Sequence, residues 1–242
     1  MNAPFLWIGI PLIFAPLLWL PKRAQVTAFF GGSLALILAL LAWFLPVDTA
    51  LRITDTLSFK LAASFEILGR QISITPVDQP LIALIYGIIA FWFFGAGVAR
   101  IARRLIPLGL GISALFIASL SVQPFLYAAL LIETAVLVAV PLLSPPEKKP
   151  GRGIIRFLIY QTLAMPFILF SGWLLAGVES SPGDIVLLTQ AATLLALGFA
   201  FLLAIFPLYT WIPMLMEEAS PYAVGFVLWL LTNATLLFAL SF

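Results

Sequence analysis

Eight apolar segments, each about as long as a membrane-spanning helix, follow one another along the chain with only short breaks between them. A bilayer core of about 30 Å needs roughly 20 apolar residues per helix. The segments lie near residues 4–20, 25–46, 80–99, 105–122, 124–143, 154–177, 185–206 and 222–241. Because 63% of the 242 residues are hydrophobic and only 9% are charged, a soluble globule could not bury this much apolar surface. The pattern predicts an all-α polytopic bundle of about eight transmembrane helices, forming one transmembrane domain over residues 1–242.

Two residue types that carry much of protein chemistry are absent. The chain has no histidine and no cysteine, which removes the usual ligands of haem, zinc, copper and iron–sulfur clusters. No nucleophile with its base and no phosphate-binding glycine loop is visible. We therefore expect no catalytic residues, no metal site and no cofactor bound by this chain. The net charge is only +2, and the basic residues lie in loops, so a nucleic-acid partner is not expected.

The distribution of basic residues predicts the orientation of the chain, because lysine and arginine collect in cytoplasmic loops. Eight spans place nine basic residues on one side: Lys22, Arg23, Arg100, Arg103, Arg104, Lys148, Lys149, Arg152 and Arg156. The opposite side receives only Arg52, Lys60 and Arg70. Both termini are therefore predicted on the non-cytoplasmic side.

The longest segment outside the predicted spans covers residues 47–79. Its apolar residues are interleaved with charged ones between about residues 57 and 70, which predicts a short amphipathic helix at the membrane interface between helices 2 and 3. Residues 71–75 alternate in polarity and predict a short strand that ends at Pro76.

Glu133 lies centrally in the fifth apolar segment. A carboxylate at that depth costs about 2.5–3.5 kcal/mol on insertion scales, so it usually faces a protein interior or a wet cavity. Glu133 is either a neutral group hydrogen-bonded to a neighbouring helix or a group that exchanges protons. The polar residues Gln190, Tyr209 and Asn233 have similar alternatives, since each can serve helix packing or line a water chain.

The stretch FPLYTWIPMLMEEASP, residues 206–221, interrupts the apolar pattern. Pro207 and Pro213 flank Trp211, and each proline deletes a helical hydrogen bond, so the seventh helix should break at Pro207–Pro213. Broken helices at membrane depth are typical of ion or substrate paths. The alternative is a simple helix end followed by an interfacial loop in which Glu217 and Glu218 are solvated.

The break and the membrane glutamate occur together in a pattern that resembles a known family. Residues 194–221, LLALGFAFLLAIFPLYTWIPMLMEEASP, resemble the broken-helix signature of the antiporter-like, proton-translocating membrane subunits of respiratory complex I, membrane-bound hydrogenases and multisubunit cation/proton antiporters. The residues that fit are Gly198, Phe199, Ala200, Pro207, Leu208, Trp211, Pro213, Ala219 and Pro221. The segment PFLYAALLIETAVLVAVPLL is similar to the fifth helix of that family, whose proton-path glutamate corresponds to Glu133. The segment LGRQISITPVDQPLIALIYG is similar to the stretch before its third helix.

The chain also departs from that family. The membrane lysines of the seventh and eighth helices fall at Leu202 and near Ala234, and neither span contains a lysine or arginine. Residues 80–242 resemble the first half of a subunit that in the family contains two inverted units. The resemblance therefore implies a shortened and degenerate member.

The resemblance implies a membrane-arm subunit of a complex I-like energy-converting oxidoreductase, or of a related ion-translocating complex, in a bacterial or archaeal plasma membrane. It implies a non-catalytic chain in an NADH (or other donor):quinone oxidoreductase-type assembly, with full-length antiporter-like subunits and the lipid bilayer as partners. The candidate proton path is Glu133, Gln190, Tyr209 and Asn233. Two alternatives stay open: a purely structural accessory subunit without conduction, and an independent small ion transporter.

Overall fold

The structure is a computed structural model that describes residues 2–54, 57–67, 69–101, 103–124, 126–144, 149–180 and 185–240. Most of these residues are helical, which confirms the predicted helical class. They form two compact units, Met1–Gln123 and Pro124–Phe242. The assignment of residues 1–242 to one transmembrane domain stays a prediction.

The described residues of the first unit form four α-helices and five short strands. A π-helical turn, Phe5–Gly9, precedes α1 (Ile10–Leu17), which is followed by α2 (Ala24–Phe44), α3 (Gln79–Val98) and α4 (Leu105–Ser121). The strands are β1 (Ala50–Thr54), β2 (Leu57–Lys60), β3 (Ser64–Ile67), β4 (Arg70–Ser73) and β5 (Val122–Gln123). They form two antiparallel sheets, β1-β2 and β3-β4-β5.

The core of the first unit is organised around Trp7. Its side chain is fully buried, and its indole Nε1 donates a hydrogen bond to the carbonyl oxygen of Leu38 in α2 at 3.2 Å. The hydroxyl of Tyr86 in α3 donates to the backbone carbonyl of Trp7. Because a buried indole N–H or phenol O–H needs a partner, these bonds fix the N-terminal turn against both helices.

Gln79 joins the beginning of α3 to the end of α2. Its Oε1 accepts from the backbone N–H of Val47 at 3.2 Å. Its Nε2 donates to the carbonyl oxygens of Ala42 at 3.1 Å and Leu45 at 2.6 Å. The side chain is buried, so one amide satisfies two carbonyls at the end of α2 and the N–H of Val47 just beyond it.

Replacing Gln79 with leucine is expected to lower the free energy of unfolding of the purified chain by about 1–3 kcal/mol. The leucine keeps the side-chain volume but leaves the buried N–H of Val47 without its acceptor. Thermal unfolding in mild detergent measures the effect. Gln190→Leu is the matched control, since Gln190 is exposed, and equal shifts in the two variants would contradict the prediction.

The segment between α2 and α3 corrects one prediction. The interfacial amphipathic helix was wrong, because residues 57–60 and 64–67 form the strands β2 and β3. The apolar residues Leu57, Phe59 and Leu61 recur at every second position, which is the period of a strand rather than of a helix. The strand predicted over 71–75 is confirmed by β4, which spans Arg70–Ser73 and pairs with β3 and β5.

The elements of the second unit are all helices over its described residues. Its elements are α5 (Leu126–Leu143), α6 (Arg152–Ser180), α7 (Ile185–Leu202), a 3₁₀ turn (Leu208–Thr210), α8 (Trp211–Glu218) and α9 (Pro221–Leu240). The helix α6 packs against α5, α7 and α8. At Gly198 of α7, a β-carbon would lie 2.7 Å from Cγ1 of Ile168, so the glycine permits the close approach of α6 and α7.

Each of the eight predicted apolar segments contains a helix over its described residues. Four helices are long and apolar enough to cross a membrane: Ala24–Phe44, Gln79–Val98, Arg152–Leu175 and Ile185–Leu202. The other four are apolar but shorter over the described residues: Phe5–Leu17, Leu105–Ser121, Tyr127–Leu143 and Pro221–Leu237. Large apolar side chains such as Trp43, Phe91 and Trp173 are mostly exposed. These properties are typical of a membrane protein.

Candidate functional site

The seventh apolar helix, α7, ends at Leu202, and the next α-helix begins at Trp211. The helix ends in a Schellman motif, in which the N–H of Ile205 donates to the carbonyl of Ala200 and the N–H of Ala204 donates to that of Phe201. Ala204 has a φ of 50°, the left-handed conformation that this motif requires and that glycine usually supplies. The backbone conformation of Ala204 therefore ends α7. Both prolines come later in the sequence.

The two prolines act differently from the prediction. Pro207 lies after the end of α7. Proline is common just beyond a helix end, because it cannot continue the helix. Pro213 is the third residue of α8, and the first four N–H groups of a helix have no intrahelical acceptor. The expectation that Pro213 deletes a hydrogen bond was therefore wrong, and the interruption covers residues 203–210 rather than Pro207–Pro213.

Trp211 anchors the helix that follows the interruption. Its side chain is fully buried, and its ring packs on Phe157 of α6 at a centroid distance of 5.3 Å and an interplanar angle of 57°. Leu215, one turn later, is also fully buried. The short helix α8 is thus held against α6 by its apolar side, with Glu217 exposed on the other.

Glu218 holds the N-terminus of α6. Both of its carboxylate oxygens accept from the N–H of Gly153 at 2.9 Å, and Oε2 also accepts from the N–H of Ile154 at 3.2 Å. A negative charge at this position satisfies free N–H groups and interacts favourably with the helix dipole. Of the two adjacent carboxylates, Glu217 fits the solvated interpretation, whereas Glu218 is half-buried and binds backbone.

Glu133 makes a defined contact with a neighbouring helix. The hydroxyl of Thr162 in α6 donates to Oε1 of Glu133 at 2.8 Å. The second oxygen, Oε2, is buried and has no hydrogen-bond partner among the described residues. The two oxygens of this carboxyl group therefore differ. Oε1 accepts a hydrogen bond from a neutral hydroxyl, and Oε2 is buried by protein atoms.

Gln161, the residue before Thr162, lies near the end of α7. Its side chain is fully buried, and its Nε2 donates to the carbonyl oxygen of Leu202 at 3.5 Å, a long and weak bond. Its Oε1 has no partner within the described part of the chain. Two consecutive residues of α6 therefore contact Glu133 on one side and the last residue of α7 on the other.

The remaining candidates are not brought to this site. Gln190 is exposed on α7 and lines a groove of about 310 Å³ with Thr189 and Thr193. Tyr209 is 45% exposed and stacks on Phe206. Asn233 is exposed, and its Nδ2 donates to the carbonyl of Trp229 within α9 at 2.7 Å. The geometry supports a site at Glu133, with no contact that joins these three residues to it among those described.

Three residues of the site were not predicted. Threonine and glutamine are common in membrane helices, so the sequence alone does not single out Thr162 or Gln161. Glu218 entered only in the alternative of a simple helix end, as a solvated residue. A signal for Glu218 existed in the Gly151 to Gly153 stretch, since glycines before a helix permit a close approach of another backbone or side chain.

The described residues contain no group of three or more histidine, cysteine, aspartate or glutamate side chains that could hold a metal ion. Comparison with models of known protein families finds no match, and comparison with curated proteins finds none either.

Proposed function

We propose that the chain is a membrane-arm subunit of a complex I-like energy-converting oxidoreductase, or of a related ion-translocating complex. It contributes to assembly and exchanges protons at Glu133. The chain is a non-catalytic part of a quinone-reducing or similar assembly, and it binds no cofactor of its own.

One observation carries this proposal: Glu133 has a buried, unpartnered Oε2 in the unit that also contains an interrupted membrane helix. Burying a polar atom without a partner is costly, and such a cost is usually retained where the group has a task. The interruption of α7 frees backbone groups, and Gln161 already contacts one of them at Leu202. Broken helices at membrane depth are common at the ion and substrate sites of transport proteins.

The surroundings proposed for the chain follow from its exposed apolar helices and its charge distribution. The helix α7 is only 22% buried over its apolar window, which fits a chain that packs against other membrane subunits. Full-length antiporter-like subunits are the proposed partners. The excess of basic residues on one side supports a location of both termini on the non-cytoplasmic side of the membrane, and the proposed membrane is a bacterial or archaeal plasma membrane.

A structural subunit without conduction is the second candidate. It is favoured by the positions of Gln190, Tyr209 and Asn233, which are exposed and contact other groups. It is also favoured by Leu202, which occupies the place of the family's lysine. In this version Glu133 and Thr162 form a packing hydrogen bond and nothing more.

Isolation of the native chain in mild detergent, followed by mass spectrometry of the proteins that migrate with it, tests the proposal. We expect quinone-reducing, hydrogenase or antiporter subunits in fixed stoichiometry. An untagged strain is the control for proteins that bind the resin. Recovery of the chain alone, as a monodisperse monomer or homo-oligomer, would contradict the proposal and support an independent transporter.

A further inference from the structure

We infer that Thr162 is the positioning residue of Glu133, and that it directs the exchanged proton to Oε2. The inference deepens the proposed function and rests on it for the use of the proton. The contacts that support it lie within the second unit.

The contact between Thr162 and Glu133 distinguishes the two carboxyl oxygens of Glu133. The Thr162 hydroxyl donates to Oε1 at 2.8 Å, so Oε1 is the acceptor oxygen of this contact. A protonated carboxyl carries its hydrogen on one oxygen only. Since Oε1 is already accepting, the proton resides on Oε2, the buried oxygen that has no partner in the described residues.

The proton balance of this step is simple. Thr162 keeps its own proton throughout, and the carboxylate gains one proton at Oε2 to become a carboxylic acid. When the proton leaves, the same oxygen becomes negative again while Oε1 still accepts from the threonine. A hydrogen bond to a carboxylate stabilises its charged form, and the donor in this contact is the neutral hydroxyl of Thr162.

The titratable residues of α6 nearest to Thr162 contact other helices. The helix α5 packs against α6 and α9. On α6, Arg156 donates to Sδ of Met214 at 3.1 Å, and the ring of Tyr160 packs 6.0 Å from that of Phe201. Both side chains are therefore engaged with residues outside α5.

The other titratable residues of these helices lie towards helix ends. They are Arg152 and Glu179 on α6, Tyr222 on α9 and Tyr127 on α5. Arg152 begins α6, about 15 Å along the helix axis from Thr162. The described contact of the Glu133 carboxyl is the one with Thr162.

Infrared difference spectroscopy of the purified full-length chain in lipid vesicles tests the inference. The carboxylic C=O band of Glu133 is identified by its loss in Glu133→Gln under acidic conditions. A hydrogen bond to the carbonyl oxygen lowers this frequency, so Thr162→Val is expected to move the band to higher wavenumber. Thr162→Ser, which retains the hydroxyl, is expected to restore the original position.

Thr134→Val is the matched control. Thr134 lies next to Glu133 and is exposed like Thr162, but its hydroxyl donates to the carbonyl of Leu130 in its own helix. The control should leave the band unmoved. Because valine has nearly the shape of threonine and position 162 is exposed, loss of folding is not expected in the Thr162 variants.

The outcomes separate this inference from the proposed function. A shift in Thr162→Val that Thr162→Ser reverses supports the positioning role, even if the chain is isolated without other subunits. An unmoved band in Thr162→Val, or an equal shift in Thr162→Ser, would overturn the inference. The proposed function fails on different evidence, namely the absence of energy-converting subunits in the isolated complex.

Discussion

Replacing Gly153 with alanine is expected to destabilise the second unit by about 1–3 kcal/mol through overpacking, with a further loss of about 1 kcal/mol if the contact of Glu218 with α6 is broken. A β-carbon at position 153 would lie 2.6 Å from the backbone N of Leu215 and 2.7 Å from the carbonyl oxygen of Met214. Backbone atoms cannot rotate away as a flexible side chain can. The N-terminus of α6 and the helix α8 would have to separate.

The effect should reach beyond the added methyl group. Gly153 donates to both oxygens of Glu218 at 2.9 Å, so separation lengthens the bonds that hold the beginning of α6. The same displacement loosens Trp211 from Phe157, which are 5.3 Å apart between ring centroids. One small substitution therefore weakens a polar and an aromatic contact together.

Gly87→Ala is the matched control for this substitution. Gly87 lies inside α3, and nothing lies within 4 Å of a β-carbon built there. Alanine in a helix interior is favoured over glycine by about 0.5–1 kcal/mol, so this variant should be slightly stabilised. Thermal unfolding in mild detergent measures both variants, and a stability of Gly153→Ala at or above that of the native chain would contradict the argument.

The helices could be predicted from the sequence because each apolar segment is long and is bounded by charged or proline-rich residues. The secondary structure of residues 47–79 was harder to predict, because each strand there is short and charged residues are mixed with apolar ones. There the period of two in Leu57, Phe59 and Leu61 was the better guide than the amphipathic composition. Strands this short depend on pairing with distant residues, as β4 does with β5, and no local pattern contains that information.

The end of α7 illustrates a second limit. Proline was taken as the cause of the interruption, but a Schellman motif at Ala204 ends the helix first. Alanine rarely adopts a positive φ. Because this position is not a glycine, the sequence gives no local signal that the helix ends here. Tertiary packing of α8 through Trp211 stabilises a conformation that local propensity would not select.

The candidate site was predictable only in part. Glu133 was found because a charged residue amid apolar ones is rare enough to need a reason. Its partner Thr162 was not, because threonine occurs widely in membrane helices and the choice of partner depends on how α5 and α6 rotate against each other. Glu218 was missed because its role depends on a contact with residues far earlier in the chain.

Replacing Glu133 with glutamine is expected to reduce coupled proton transfer by the intact complex on the order of tenfold or more, since a positioned proton acceptor is removed. Glutamine keeps the acceptor oxygen for Thr162 and nearly the same volume, so the 2.8 Å contact can be retained. Assembly should therefore be unchanged. Proton uptake by inverted membrane vesicles, normalised to electron transfer and to the amount of complex, measures the effect.

Glu217→Gln is the control for the Glu133 substitution, because it makes the same chemical change at an exposed residue of α8. It should leave proton transfer unchanged.

If Glu133→Gln also leaves proton transfer unchanged while the complex assembles normally, the conducting version is wrong and the structural subunit is favoured. If Glu133→Gln prevents assembly, the prediction is also wrong, because glutamine can retain the contact with Thr162 and the carboxyl itself would then be needed to build the complex. Loss of proton transfer in an assembled complex would support proton exchange at Oε2, since glutamine retains an acceptor for Thr162 and removes only the group that can carry the proton.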